Sequence, residues 1–131
     1  MDDLTLGRLA VSAKSKSLPT YSKFHVGAAL LTKNGKIYEG GNIETSSFSL
    51  TICAERTAVF QAILEGDREF TSIAIASDAE DFCPPCGACR QVLLDLCGKD
   101  LDVILINAKE EIIKYKITEL IPHSFGEDFL K

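Results

Sequence analysis

Three cysteines in two short segments have the residue type and spacing of ligands for one metal ion. Cys53 lies in the segment Thr51–Arg56, and Cys86 and Cys89 lie in the segment Pro85–Gln91. Structural zinc usually has four protein ligands in a closed tetrahedron, whereas catalytic zinc has three and keeps the fourth position for water or substrate. Three cysteines with a glutamate close by therefore indicate a zinc ion that activates water.

Two charged residues stand close behind the first cysteine. Glu55 is two residues from Cys53, and a carboxylate beside activated water can transfer protons. Three thiolates carry more negative charge than one Zn²⁺ neutralises, and the guanidinium of Arg56 could offset the excess by hydrogen bonding to sulfur. Each residue alone could equally be an ordinary charge at a helix start. Their position beside Cys53 favours roles in proton transfer and in charge compensation.

The remaining potential ligands are not assigned to the metal. Cys83 and Cys86 also form a Cys-x-x-Cys pair, but two prolines make the 83–86 segment a stiff turn, so the pair of Cys86 and Cys89 is preferred. Three further residues also receive no metal role: Cys97, His25 and His123. The first two of these are predicted to lie in the core, and the third in a terminal loop.

Nine predicted elements position these residues. Apolar spacing predicts four helices, Leu4–Lys16, Thr51–Glu65, Cys86–Leu96 and Ile117–Ile121. Short apolar runs predict five strands, Phe24–Thr32, Lys36–Ile43, Thr71–Ser77, Leu101–Asn107 and Glu111–Lys116. Strands alternating with helices indicate a three-layer α/β/α sandwich in which helices cover a mixed five-stranded sheet. The cysteines then lie at two helix starts, where the positive end of the helix dipole stabilises thiolates.

Two local patterns add detail to this fold. Asn34-Gly35, between the first two strands, predicts a two-residue hairpin turn. On the second helix, an apolar stripe is predicted to face the core and consists of Ala54, Ala58, Val59, Ile63 and Leu64.

Composition narrows the class of protein. The chain has 131 residues, of which 46% are apolar, so one domain covering residues 1–131 is expected. No stretch approaches the roughly 20 apolar residues of a membrane span, and the start lacks a signal-peptide pattern. A cytoplasmic protein with reduced thiols is expected. The net charge of −5 and the absence of a basic cluster argue against nucleic acid as a partner.

The two cysteine motifs resemble the cytidine deaminase family, specifically the small nucleoside deaminases whose zinc is held by three cysteines. The resemblance runs from about Ser22 to Phe125 and contains both motifs in the expected order. It implies a cytidine deaminase-like fold, one zinc ion per subunit, and hydrolytic deamination of cytidine and 2′-deoxycytidine in pyrimidine salvage. In the implied mechanism, Glu55 takes a proton from the attacking water, passes it to N3 of cytosine, and later protonates the departing ammonia.

Substrate contacts are expected at five positions. Asn42 and Glu44, at i and i+2 near the end of a predicted strand, can lie on one face and bind a diol, and they match the ribose-binding pair of the family. The resemblance also implies that Phe24, Ala54 and Phe125 contact substrate. Core packing and turn capping are the ordinary alternatives for such residues. By the same resemblance, Phe125 and the loop at Ser46–Phe48 reach into a neighbouring subunit's site, which implies a homotetramer.

Four other functions compete with this interpretation. A deaminase of modified cytosine nucleosides or of a nucleoside antibiotic, such as the blasticidin S deaminases, would carry the same zinc motif. A polynucleotide-editing deaminase commonly has histidine as the first ligand and needs a basic surface, unlike this chain. A non-catalytic zinc module would use Cys83 as a fourth ligand. A dithiol redox protein would use Cys86 and Cys89 alone, which leaves Cys53 and Glu55 without a role.

Overall fold

The computed structural model describes residues 1–130, and a mixed five-stranded sheet forms its centre. The strands are β1 (Val26–Thr32), β2 (Ile37–Gly41), β3 (Phe70–Ser77), β4 (Asp102–Ile106) and β5 (Ile112–Lys116). Their order is β2-β1-β3-β4-β5, in which β3 and β4 are parallel and the other neighbours antiparallel. The predicted mixed sheet is confirmed. Lys131, the last residue of the predicted domain, lies outside the described residues.

Helices cover both faces of this sheet. They are α1 (Asp3–Ala13), α2 (Ala54–Leu64), α3 (Gly87–Cys97) and the short α4 (Ile117–Leu120). Asp2 is the N-cap residue of α1, and its side chain accepts the backbone N–H of Thr5 at 2.7 Å. Within residues 1–130, no helix is long and apolar enough to span a membrane.

Two apolar clusters separate the layers. One lies between the sheet and α2 and α3, and it includes Leu30, Ile73 and Leu93. The other lies under α1 and includes Leu6 and Ala74. Because side chains of a strand alternate between the two faces, the all-apolar centre of β3 serves both clusters. The predicted three-layer α/β/α sandwich is therefore confirmed.

The hairpin between β1 and β2 is one residue longer than predicted. Gly35 donates its N–H to Thr32 O at 3.1 Å, and Thr32 donates its N–H to Lys36 O at 2.9 Å, beside the first strand pair of Leu31 and Ile37. Gly35 has a φ of +89°, which is the left-handed glycine that ends a three-residue hairpin loop. The two-residue prediction was wrong because it placed Asn34-Gly35 alone in the turn.

Two predicted core residues face solvent instead. Leu64 is 88% exposed because it follows the buried Ala62 by two residues, or about 200° around the helix. His25 precedes β1 and is half-exposed, with its ring Nδ1 lying 2.8 Å from Asp78 Oδ2. His25 therefore lies in the segment before β1, and its ring contacts a polar side chain rather than the core. Cys97, by contrast, packs against the core beneath α3 as predicted.

Candidate metal centre and active site

The starts of α2 and α3 bring the three predicted ligands together. Cys53 is the N-cap residue of α2, and Cys86 is the N-cap residue of α3. Cys89 lies three residues further along α3, on the same face as Cys86. Both helices lie on the same side of the sheet, so their N-termini meet at one point.

The sulfur atoms have the spacing that tetrahedral zinc requires. Cys53 Sγ lies 3.7 Å from Cys86 Sγ, and all three sulfurs lie within 4.8 Å of one another. A zinc–sulfur bond of about 2.3 Å gives tetrahedral ligands a separation of about 3.8 Å. Among residues 1–130, no fourth cysteine, histidine or carboxylate joins this group, so Cys83 stands outside it. The three sulfurs therefore fit a zinc ion with one open position.

The protonation of the sulfurs also fits a bound cation. A hydrogen bond from Cys89 lowers the pKa of Cys53 to about 5, with further contributions from Arg56 and Cys86. The same hydrogen bond and burial raise the pKa of Cys89 above its usual value. Three sulfurs this close resist becoming anionic together unless a positive charge neutralises them. A divalent ion provides that charge.

Arg56 supplies positive charge from within α2. Its Nη2 donates to Cys53 Sγ at 3.4 Å, which is the contact expected from the sequence. Its Nε is buried and has no hydrogen-bond partner among the described residues. The hydrogen bond to Cys53 raises the pKa of the guanidinium, so this residue remains a cation beside the sulfurs.

Glu55 is the buried carboxyl group of the site. It is 3% exposed, and its Oε1 has no hydrogen-bond partner among residues 1–130. Burial raises the pKa of this carboxyl to about 7, and the nearby Cys53 adds to the rise. A group that titrates near neutrality can both accept and donate a proton at physiological pH. The unpaired oxygen is free to bind a small polar molecule next to the sulfurs.

Close packing against β2 fixes the start of α2. A Cβ on Gly40 would lie 2.3 Å from Ala54 O and 2.5 Å from Thr57 Oγ1, so only glycine fits there. Beyond β2, Ile43 and Ile52 exchange backbone hydrogen bonds at 2.9 and 3.0 Å. The first turn of α2, which carries the metal and proton-transfer candidates, is therefore held directly on the sheet.

Asn42 and Glu44, the predicted ribose pair, bind the chain's own backbone. Asn42 Oδ1 accepts Val26 N–H at 2.9 Å, and its Nδ2 donates to Phe24 O at 2.9 Å. Glu44 Oε1 accepts the N–H groups of Tyr21 and Ser22 at 2.9 and 2.8 Å, and Oε2 accepts the Ser22 hydroxyl. Hydrogen bonds from Ser22 lower the pKa of Glu44. Both side chains thus support the segment that carries Phe24.

The other three predicted substrate residues have different surroundings. Phe24 is partly exposed within that segment. Ala54, the first residue of α2, is fully buried. Phe125 is 58% exposed and its ring stacks on Phe129, with centroids 5.5 Å apart. Residues 124–130 and α3 line a cavity of about 540 Å³, and none of the three clustered cysteines lines it.

Sequence reasoning missed several residues that hold this site in place. Arg90 donates from Nε to Pro85 O at 2.7 Å and from Nη1 to Leu120 O at 2.8 Å, joining the cysteine loop to the C-terminal segment. Asp78 binds the backbone next to Phe24. The sequence signal for Asp78 was its position as a polar residue directly after the buried run of β3. Its partner, His25, could not be predicted without the pairing of β1 with β3.

Comparisons with known proteins agree with this geometry. Residues 1–105 match the family model described as the cytidine and deoxycytidylate deaminase zinc-binding region. A cytidine deaminase of Halalkalibacterium halodurans is 46% identical over 95% of both chains. The crystal structure of cytidine deaminase from Burkholderia pseudomallei has a TM-score of 0.92 and 39% identity, covering 95% of this chain and all of that one. A blasticidin-S deaminase of Bacillus cereus is 35% identical over 92% of this chain and 89% of its own length.

The family match spans more than half of the chain and includes all three clustered cysteines. The expectation of zinc as cofactor is therefore confirmed. The chain belongs to the cytidine and deoxycytidylate deaminase family of zinc-binding enzymes.

Proposed function

We propose that this enzyme hydrolyses cytidine and 2′-deoxycytidine to uridine and 2′-deoxyuridine, with release of ammonia. The observation that carries the proposal is the unpaired Oε1 of the buried Glu55 carboxyl, beside three clustered sulfurs. Similarity to cytidine deaminases over nearly the whole chain supports the choice of substrate.

In this proposal Cys53, Cys86 and Cys89 hold the zinc ion. A zinc ion bound at such a site supplies Lewis acidity, which makes water nucleophilic near neutral pH. Arg56 withdraws negative charge from Cys53 through its hydrogen bond, so the sulfurs oppose that chemistry less strongly. Cys83 takes no part, which argues against a closed four-cysteine module.

Glu55 transfers the protons of the reaction. Its carboxylate takes a proton from the attacking water and delivers it to N3 of the cytosine ring, while the water oxygen bonds to C4. Glu55 then takes the remaining proton from the hydroxyl now on C4 and gives it to the amino group. The C4–N bond breaks as the C4=O bond forms, and ammonia leaves. The carboxyl ends in the protonation state in which it began. Burial raises the pKa of Glu55, which favours its taking up the proton.

The substrate lies between the Glu55 carboxyl and the segment that carries Phe24. Phe24 stacks on the pyrimidine, and Ala54 contacts it through the backbone. Asn42 and Glu44 bind the ribose hydroxyls with the hydrogen-bonding capacity left after their backbone contacts, since a carboxylate accepts about four hydrogen bonds. The charge of Glu44 also repels a phosphate, which favours a nucleoside over a nucleotide.

The active unit is a homotetramer in which Phe125 and the Ser46–Phe48 loop enter a neighbouring subunit's site. Exposed apolar side chains support this assembly, since such clusters usually mark interfaces: Tyr21, Phe48, Leu50, Phe125 and Phe129. Tyr21 and Phe48 already contact each other edge to face, with centroids 5.9 Å apart. Light scattering coupled to size-exclusion chromatography should give four times the chain mass of 14.3 kDa.

The biological setting is part of the proposal. We place the enzyme in the cytoplasm, as a single domain acting in pyrimidine salvage on free nucleosides. The net charge of −5 disfavours nucleic acid as substrate.

A substrate panel tests the proposal. Ammonia release is measured with zinc-loaded enzyme on cytidine, 2′-deoxycytidine, deoxycytidylate and blasticidin S. The two nucleosides should react with the highest kcat/KM, and deoxycytidylate at least about tenfold more slowly because of its charge. Preference for blasticidin S would replace the proposed substrate, and no deamination of any compound would overturn the proposed reaction.

A further inference from the structure

The segment between Tyr21 and Val26 is held by side chains rather than by regular structure. Glu44 takes the N–H groups of Tyr21 and Ser22, and Asn42 takes that of Val26. Phe24 lies in the middle of the segment. Because these contacts come from several elements, the position of the Phe24 ring depends on the groups that surround it.

One of these groups is Asp78, which has no role in the reaction described above. Its Oδ2 accepts the His25 N–H at 2.7 Å and lies 2.8 Å from the His25 ring Nδ1. Its own N–H donates to His25 O at 3.1 Å. Lys14, the residue directly after α1, has its Nζ 3.3 Å from Oδ1 and ties the carboxylate to the C-terminal end of that helix. Asp78 therefore binds both backbone groups of His25: its side chain accepts the N–H, and its backbone N–H donates to the carbonyl.

The backbone before Phe24 needs such support. Lys23 has a φ of +61°, a left-handed conformation that non-glycine residues adopt at an energetic cost. Phe24 N–H donates to Ser22 Oγ at 3.0 Å, and Phe24 O accepts from Asn42. Without the Asp78 side chain, the N–H of His25 would lose its partner, while the backbone bond from residue 78 to His25 O would remain.

We infer that Asp78 is a positioning residue for substrate binding, which fixes the ring of Phe24 by fastening His25 to the end of β3. The inference rests on the proposed function of Phe24 as the surface on which the pyrimidine stacks. Asp78 itself touches neither substrate nor metal ligands in this account. Its removal should therefore weaken substrate binding without affecting proton transfer or zinc.

The test is a double-mutant cycle of Asp78→Ala with Phe24→Ala, assayed for cytidine turnover and zinc content. Asp78→Ala should raise KM about tenfold, the effect that corresponds to the typical energy of a hydrogen bond to a charged group. Its kcat should stay within about twofold of the parent value. Zinc content should not change. Because Asp78 acts through Phe24, its loss should raise KM by less than about twofold when Phe24 is already alanine.

Asp102→Ala is the matched control. Asp102 is another aspartate paired with lysines, Lys116 at 2.8 Å and Lys114 at 4.0 Å, but it lies on β4. Its loss should leave KM unchanged. Asp78→Asn, which keeps the shape of the side chain, should raise KM by about threefold and serves if the alanine variant folds poorly.

The outcomes separate this inference from the proposed function. An active parent enzyme whose KM is unchanged by Asp78→Ala would overturn the inference alone. If Asp78→Ala raised KM equally in the parent and in the Phe24→Ala background, or if it released zinc, a general structural role would replace the positioning role. A parent enzyme that deaminates no cytidine would overturn both.

Discussion

The sulfurs of Cys53 and Cys86 lie 3.7 Å apart, each projecting from the N-cap position of its own helix. N-cap side chains usually accept a backbone N–H of the first helical turn. Neither cysteine does so here. The two side chains are thus not used to cap their helices and point towards each other instead. The positive ends of both helix dipoles favour thiolates at this point.

Replacement of a clustered cysteine should release zinc. Cys89→Ser is expected to retain less than about a tenth of the zinc of the parent, because loss of one ligand leaves only two sulfurs for the ion. Cys83→Ser is the matched control and should retain one zinc per chain. Metal analysis after dialysis measures both. Zinc loss from Cys83→Ser would instead favour a closed four-cysteine site.

Loss of the arginine beside the sulfurs should weaken the metal site without destroying it. Arg56→Ala removes the hydrogen bond to Cys53 Sγ, and contacts of this kind typically contribute about 10- to 100-fold in metal affinity or activity. Arg56→Lys should recover part of the loss, because it restores the charge. Competition with a chromogenic chelator measures the affinity. Equal zinc affinity and turnover in parent and alanine variant would exclude this role.

A methyl group between β2 and α2 should disturb the active site. Gly40→Ala places Cβ against Ala54 O, so helix and strand must separate, at a cost of about 1–3 kcal/mol in the free energy of unfolding. Turnover should fall as well, because this turn carries Glu55. Gly7→Ala is the control, since its nearest neighbour is the end of a flexible side chain, Ile106 Cδ1. Chemical denaturation and activity that match the parent in Gly40→Ala would contradict the close-packing argument.

Alkaline stability should depend on Tyr38. Its hydroxyl donates to Asp67 Oδ2, which raises its pKa to about 12. The folded pKa exceeds the ordinary value of about 10, so this stabilisation is complete below pH 10 and is lost as the pH rises towards 12. Tyr38→Phe should therefore be less stable than the parent at pH 8, and the difference should shrink above pH 10. Urea unfolding across this range measures it, and a constant difference would refute the assignment.

Local sequence patterns were sufficient to predict most of the fold. The buried run of β3 and the apolar periodicity of α2 place those elements within a few residues of their positions in the structure. The prediction that Leu64 faces the core was wrong, because Leu64 lies about 200° around the helix from the buried Ala62. The hairpin was misjudged because Asn-Gly occurs in loops of more than one length.

The clustering of Cys53, Cys86 and Cys89 was predictable because the spacing within each motif is short. Roles that depend on distant segments were not. Asp78 meets His25 only because β1 pairs with β3, and the backbone contacts of Asn42 depend on how residues 24–26 approach the sheet. Residue type alone suggested a ligand-binding amide there, whereas the structure first uses that amide to hold its own chain.

The most direct test of the central claim compares the parent enzyme with its Glu55→Gln variant, both loaded with zinc, for ammonia release from cytidine. Glutamine keeps the size of the side chain but cannot transfer a proton. The account predicts full zinc content in both proteins and a fall in kcat of at least about 100-fold in the variant. A Glu55→Gln enzyme that deaminates cytidine at the parent rate would contradict the assignment of proton transfer to Glu55.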